Sequence, residues 1–151
     1  MTRINAGIPV ECLTDEHLLA EHREIKRLPD VIKRWENSKR RTPPPSRFTL
    51  GKGHVLFFLY KQKFILERYI MLRLECERRG FNVTNYRCNW QNIPMIYFSE
   101  EYEPEREDIE LVKTRIISRI STSSKNTFHY YGKRIMKLTA VKMLILRRPY
   151  H

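Results

Sequence analysis

The stretch from residue 54 to residue 79 limits the fold more than any other part of the chain. Phe57, Phe58, Phe64, Ile65, Ile70, Met71, Leu72 and Leu74 leave it apolar over much of a helical circumference. A helix of that kind is buried in the middle of a small all-α protein. Gly80 and Phe81 end it, a glycine just past the last turn and an apolar residue to fold back. Glycine is scarce, five in 151 residues, which disfavours a fold rich in strands and turns. The length suits one domain with a real core. The expected class is therefore all-α, a compact single-domain helical protein with a long central helix.

Other helices arrange themselves around that one. Thr14 is a good N-cap, Asp15 and Glu16 suit the positive end of the helix dipole, and Pro29 is expected to stop the helix they begin. Leu18, Ile25 and Leu28 form its apolar face. Residues 30–39 read as a short helix that packs Val31, Ile32 and Trp35, and Thr42-Pro43-Pro44-Pro45-Ser46 as a stiff loop. Gly51-Lys52-Gly53-His54 lacks the full spacing of a nucleotide-binding loop and reads as a tight turn into the long helix. Residues 82–102 read as irregular. Pro104 opens a helix through about Ile120, with Ile109, Val112, Ile116 and Ile120 as its buried stripe. Arg115 and Arg119 lie one turn apart on another face, a spacing that suits adjacent phosphates. The segment Phe128-His129-Tyr130-Tyr131-Gly132-Lys133-Arg134 mixes aromatic and basic residues, as surfaces that stack on bases do; one ring is expected buried and another outward. Residues 135–146 read either as one more packed helix or as a basic arm.

Charge narrows the function. The net charge is +12. Residues 100–110 hold seven acids against one base, Arg106, so the rest of the chain carries +18. A strongly basic body with one acidic patch is the footprint of a polyanion binder. Cys12, Cys76 and Cys88 form no Cys-x-x-Cys pair, which argues against a disulfide framework or a zinc site and suits a reducing cytosol. The apolar runs are far shorter than the roughly 18 residues of a membrane span. No cofactor site and no protein partner are indicated.

Two features carry possible chemistry. At about 100° per residue, His17, Glu24 and Arg27 share one helix sector, with Arg23 beside Arg27. That sector is either an ordinary solvated face or one acid set among bases for a purpose. The second feature is the N-terminus. Removal of Met1 would leave a threonine α-amine with a reference pKa of about 7.7–8.0, against about 10.4 for lysine. A neutral amine attacks carbon, so Thr2 could act as a Schiff-base nucleophile without burial or tuning.

Several blocks then resemble the pyrimidine-dimer DNA glycosylases of the T-even phage endonuclease V family. They are Thr2-Arg3-Ile4-Asn5, then Asp15-Glu16-His17-Leu18, Ala20-Glu21 and Arg23-Glu24. They continue with Leu50-Gly51-Lys52-Gly53-His54-Val55, Phe57-Phe58, Arg79-Gly80-Phe81-Asn82 and Tyr130-Tyr131-Gly132-Lys133. The blocks keep the family's order and near-family spacing over about residues 2–137, so residues 138–151 would be a C-terminal extension. Thr127-Phe128-His129 stands where relatives commonly have Trp-Tyr-Lys. Glu16 stands where they have glutamine, and Lys26 where they have proline.

The resemblance implies an endonuclease V-like all-α fold and a DNA glycosylase with AP-lyase activity acting on damaged double-stranded DNA. Thr2 carries over as the nucleophile and Glu24 as the essential acid. Arg3, Arg23 and Arg27 match positions near the damaged strand, Arg115 and Arg119 positions that grip phosphate. His17, Tyr130 and Lys133 complete the expected DNA-binding set. The family implies a monomer that needs no cofactor or metal, a phage protein working in host cytoplasm. The expected lesion is the cyclobutane pyrimidine dimer. The departures leave open a different damaged or modified base, and a binder that kept the fold without the chemistry.

Overall fold

The computed structural model describes residues 2–149. Six helices and one short hairpin follow in order. They are α1 (Asp15–Ile25), α2 (Arg27–Glu36), α3 (His54–Phe57), α4 (Gln62–Arg78), α5 (Arg106–Thr122), β1 (Thr127–Tyr130), β2 (Lys133–Met136) and α6 (Lys137–Leu146). Short 3-10 turns occupy Val10–Cys12, Arg87–Trp90 and Met95–Phe98. The molecule is mostly helical, as expected. No helix among the described residues is long and apolar enough to cross a membrane.

The core is built on α1 against α4. Leu18 and Ile25 meet Ile65, Tyr69, Leu72 and Cys76, and the N-terminal residues Ile4, Ala6 and Ile8 fill the remaining space; all are buried. The Thr14 hydroxyl caps α1 by accepting from the His17 N–H at 3.2 Å. From α5, Val112, Ile116 and Ile120 close the core, while Ile109 stays only partly buried.

Four boundaries differ from the sequence reading. Pro29 does not stop the first helix. The break falls at Lys26, and Pro29 sits in the first turn of α2, where its missing N–H costs nothing. The helix expected over residues 54–79 is two helices. Phe57, Phe58 and Leu59 are all buried. A straight helix would swing one of three neighbours outward. The chain instead unwinds from Phe58 to Lys61, sending Phe57 and Phe58 into the main core and Leu59 into a small cluster with Ile32 and Tyr97. The helix expected from Pro104 starts at Arg106, with Glu105 as its N-cap. Residues 127–136, read as a mixed aromatic and basic segment, form the hairpin. Phe128 pairs with Ile135 and Tyr130 with Lys133. Its turn needs two positive-φ residues, Tyr131 at 53° and Gly132 at 77°.

Of the two readings of residues 135–146, α6 answers for the packed helix. Ala140, Met143 and Leu144 are buried, and α6 lies against α5.

Candidate active site

The N-terminal residues run extended between α1, α5 and the loop before α3, and are pinned at nearly every step. The Ile4 N–H donates to His54 Nε2 at 2.9 Å, while His54 Nδ1 meets the Thr49 carbonyl at 2.7 Å. These partners require a neutral ring with its proton on Nδ1. Burial pushes the His54 pKa down to about 4, which keeps it neutral. Asn5 Nδ2 donates to Glu21 Oε1 at 2.9 Å, and Asn5 Oδ1 accepts from Arg115 Nη2 at 2.7 Å. Glu21 in turn is held by Arg68, at 2.8 Å from Nε and 3.0 Å from Nη2. Arg3 donates to the Leu50 carbonyl. Thr2 is thereby held 8 % exposed, with Arg27 Nη1 3.4 Å from its hydroxyl.

Thr2 lines a cleft of about 640 Å³. Arg27, Arg34 and Lys52 line it too, and among the described residues no acid does. A second opening of about 880 Å³ is lined by Arg3, Arg115 and Arg119, with Glu107 and Glu110 also on its wall. Among the described residues, three buried side-chain nitrogens lack a hydrogen-bond partner: Arg3 Nε, Arg115 Nη1 and His22 Nε2. Two of the three belong to this arginine cluster. Burial, reinforced by Arg3 and Arg119, lowers the Arg115 pKa to about 10, while Glu21 and Glu24 act in the opposite sense. A guanidinium that is crowded by cations and short of acceptors is a ready site for an anion.

Glu24 is half-buried on α1, within electrostatic reach of Arg115. Its carboxylate makes no ion pair or side-chain hydrogen bond among the described residues. His17 reaches the same neighbourhood. Its Nδ1 lies 2.7 Å from the Thr14 hydroxyl and its ring stacks on Phe128. Burial lowers its pKa despite Glu16, and Arg119 and Arg115 add to the lowering.

The structure thus gathers Thr2, Arg3, Arg27, Arg115 and Arg119 around the N-terminal segment, with Glu24 and His17 within electrostatic reach of Arg115. Arg23 is exposed on α1 beside Glu24, and Lys133 is exposed at the hairpin turn. Tyr130, expected among the DNA-binding residues, is instead buried. It is 4 % exposed, its hydroxyl donates to the Glu11 carbonyl at 2.9 Å, and Arg79 lies over its ring. A ring so placed has no face for a base; the outward ring of the pair is Tyr131, 43 % exposed.

Sequence reasoning missed Glu21, Arg68 and His54, which set the position of Thr2. Two of them left a signal. Glu21 falls on the Leu18–Ile25–Leu28 stripe and Arg68 within the Ile65–Leu72 stripe. An acid and a base each on an apolar face are expected to be buried together.

The family model described as pyrimidine dimer DNA glycosylase matches residues 1–89, which carry the N-terminal segment, α1, the glycine turn and α4.

Proposed function

Given that the chain belongs to the pyrimidine dimer DNA glycosylase family, we propose that it excises cyclobutane pyrimidine dimers through its N-terminal amine and then nicks the strand. The glycosylase class and a DNA substrate follow from the family. The observation that carries the finer reading is the setting of Thr2, held on a cationic cleft next to arginine N–H groups without partners, with the Glu24 carboxylate within electrostatic reach of Arg115.

The cleft and the arginine cluster bind backbone phosphates. The nucleotide at the lesion leaves the stack, at a cost of a few kcal/mol that is smaller at damaged sites. With Met1 removed, the lone pair of the Thr2 amine attacks the anomeric carbon. The bond to the base breaks and the base leaves with its electron pair. The nitrogen gives up one proton, its lone pair then expels the ring oxygen by breaking the C1′–O4′ bond, and that oxygen takes up a proton, leaving a protonated imine. The Glu24 carboxylate stabilises the cationic sugar, then takes the proton from the carbon next to the imine. Electrons of that C–H bond form a double bond, and the 3′ phosphate leaves with the electrons of its C–O bond. None of these steps uses a cofactor.

Borohydride trapping tests this directly. Met1-processed protein is reduced in the presence of UV-irradiated, abasic and undamaged duplexes. Adducts with the first two, mapping to Thr2, are expected. An adduct with abasic DNA alone would keep the lyase and move the lesion to another damaged or modified base. No adduct would leave a binding protein. Acetylating the α-amine is expected to abolish nicking. Glu24→Gln is expected to bind DNA and fail to turn over.

A further inference from the structure

The glycine turn before α3 stands in the Thr2 cleft with a lysine at its tip, and the mechanism above gives that lysine no task. The turn is fixed from three directions. His54 Nδ1 holds the Thr49 carbonyl at 2.7 Å, Arg3 holds the Leu50 carbonyl, and the His54 N–H donates to the Gly51 carbonyl at 3.1 Å. Gly53 adopts φ of 97°, and a Cβ there would come within 2.9 Å of Pro45 Cγ. These are the residues that also hold the chain terminus, since His54 accepts from Ile4 and Arg3 adjoins Thr2. Thr2 and the tip of the turn therefore share one frame.

Lys52 is exposed and makes no ion pair among the described residues. Nothing in the turn requires a lysine. Gly53 supplies the unusual φ and the backbone supplies the hydrogen bonds. Yet the side chain stands in a cleft whose charged lining among the described residues is Arg27, Arg34 and Lys52, with no carboxylate to neutralise it. By contrast, Lys61 and Lys63 are matched by Glu100 and Glu101. A cation held by rigid backbone beside a nucleophile, left unpaired in an acid-free cleft, has the chemistry of a phosphate contact.

We propose that Lys52 is a substrate-positioning residue, its ammonium holding the backbone phosphate that flanks the sugar reacting at Thr2. This rests on the reading of Thr2 as nucleophile. Because the Arg3 and His54 bonds join turn and terminus, holding the phosphate at Lys52 sets the height of the sugar over the amine.

Binding is measured to a duplex carrying a reduced abasic analogue, which cannot form an imine, between 50 and 200 mM salt. Each phosphate contact contributes about 0.9 to the log–log salt slope, so Lys52→Ala is expected to lower it by about that much. Its binding defect should then be about 3-fold larger at the low-salt end than at the high-salt end. Lys52→Arg should restore the slope, and Lys63→Ala should leave it unchanged. Replacing one phosphate flanking the abasic site by an uncharged methylphosphonate should weaken the parent protein and leave Lys52→Ala indifferent. An unchanged slope, or a defect that no flanking methylphosphonate cancels, overturns the assignment while Thr2 trapping stands on its own. A lowered slope with no Thr2 adduct in the parent protein overturns the nucleophile and leaves Lys52 as a DNA contact.

Discussion

Asp15 and Glu21 lie on the same helix and each meets a buried arginine, yet the two networks end differently. Asp15 and Glu75 enclose Arg79, at 2.9 Å from Nη1 and 2.9 Å from Nε, and the carbonyls of Leu13 and Val10 take more of its protons. Asp15 also receives the N–H groups of Tyr131 and Gly132 at 3.0 and 2.8 Å, which ties down the hairpin turn. Every Arg79 nitrogen has a partner. Although burial works against its charge, the bonds to Glu75 and Asp15 win and its pKa is raised. The Glu21 network begins the same way, with Arg68 paired in two bonds. It then passes through Asn5 to Arg115, whose Nη1 is buried without a partner and whose pKa is lowered to about 10. One network is closed and holds structure. The other ends at the second opening, where Arg115 Nη1 has no partner among the described residues.

The largest test of that contrast is Arg79→Ala. It strands Asp15 and Glu75, two buried carboxylates, and removing one partner of such a pair costs about 3–5 kcal/mol. The melting temperature is expected to fall by roughly 10 °C. If Arg79→Ala melts like the parent protein, the network is not closed in solution and the contrast fails.

That contrast also explains what could be read from the sequence. Helix identity was legible wherever an apolar stripe repeated, as with Leu18, Ile25 and Leu28 or Val112, Ile116 and Ile120, because burial of one face is a local property. The break at Phe58 was not, because it answers to two separate clusters, one holding Phe58 and the other Leu59, that meet only in the folded chain. The hairpin was missed because its turn is stabilised by Asp15, more than a hundred residues away. Even so, Phe128, Tyr130 and Ile135 are buried in alternation with exposed neighbours, a period-2 pattern present in the sequence. For the site, the Thr2 amine and the Glu24 sector were visible in the residues, and the resemblance gave them roles and added Arg3. The geometry added what holds the N-terminal segment: Glu21, Arg68 and His54, whose roles depend on contacts across the fold.

His54 gives the next largest effect, on the open side. Unfolded, it binds a proton near 6.5; folded, not until about 4. Between those values unfolding takes up a proton. The contribution is therefore complete above pH 6.5 and is lost as pH falls toward 4, amounting to about 3 kcal/mol at the acid limit. His17 and His22 are shifted in the same direction, so His54→Gln should flatten only part of the slope in denaturant titrations at stepped pH. An unchanged slope would mean that His54 does not hold the Ile4 amide.

Arg115→Ala sharpens the comparison from the other network. Asn5 loses one hydrogen bond, so stability should fall by about 1 kcal/mol. Binding to an abasic duplex should weaken about 10- to 100-fold, the value of hydrogen bonds to a charged group. Arg115→Lys should recover little, because a lysine cannot reproduce the fork that reaches both Asn5 and the second opening. A large loss of stability with normal binding would make Arg115 a second Arg79.

The smallest effect separates two adjacent carboxylates on α1. Asp15 is 5 % exposed and holds the hairpin turn through backbone N–H groups and Arg79. Glu16 reaches the same hairpin two residues before Tyr131, accepting from the His129 N–H at 3.1 Å and lying 2.6 Å from His129 Nδ1, but both side chains are open to water, at 32 % and 47 %. Exposed pairs contribute about 0–1 kcal/mol because water and salt screen them. Glu16→Gln should therefore shift the urea midpoint hardly at all, whereas Asp15→Asn should lower it clearly. If the two variants were equally destabilised, the hairpin would be held along its strand as firmly as at its turn. Closure of the Arg79 network would then no longer account for its stability.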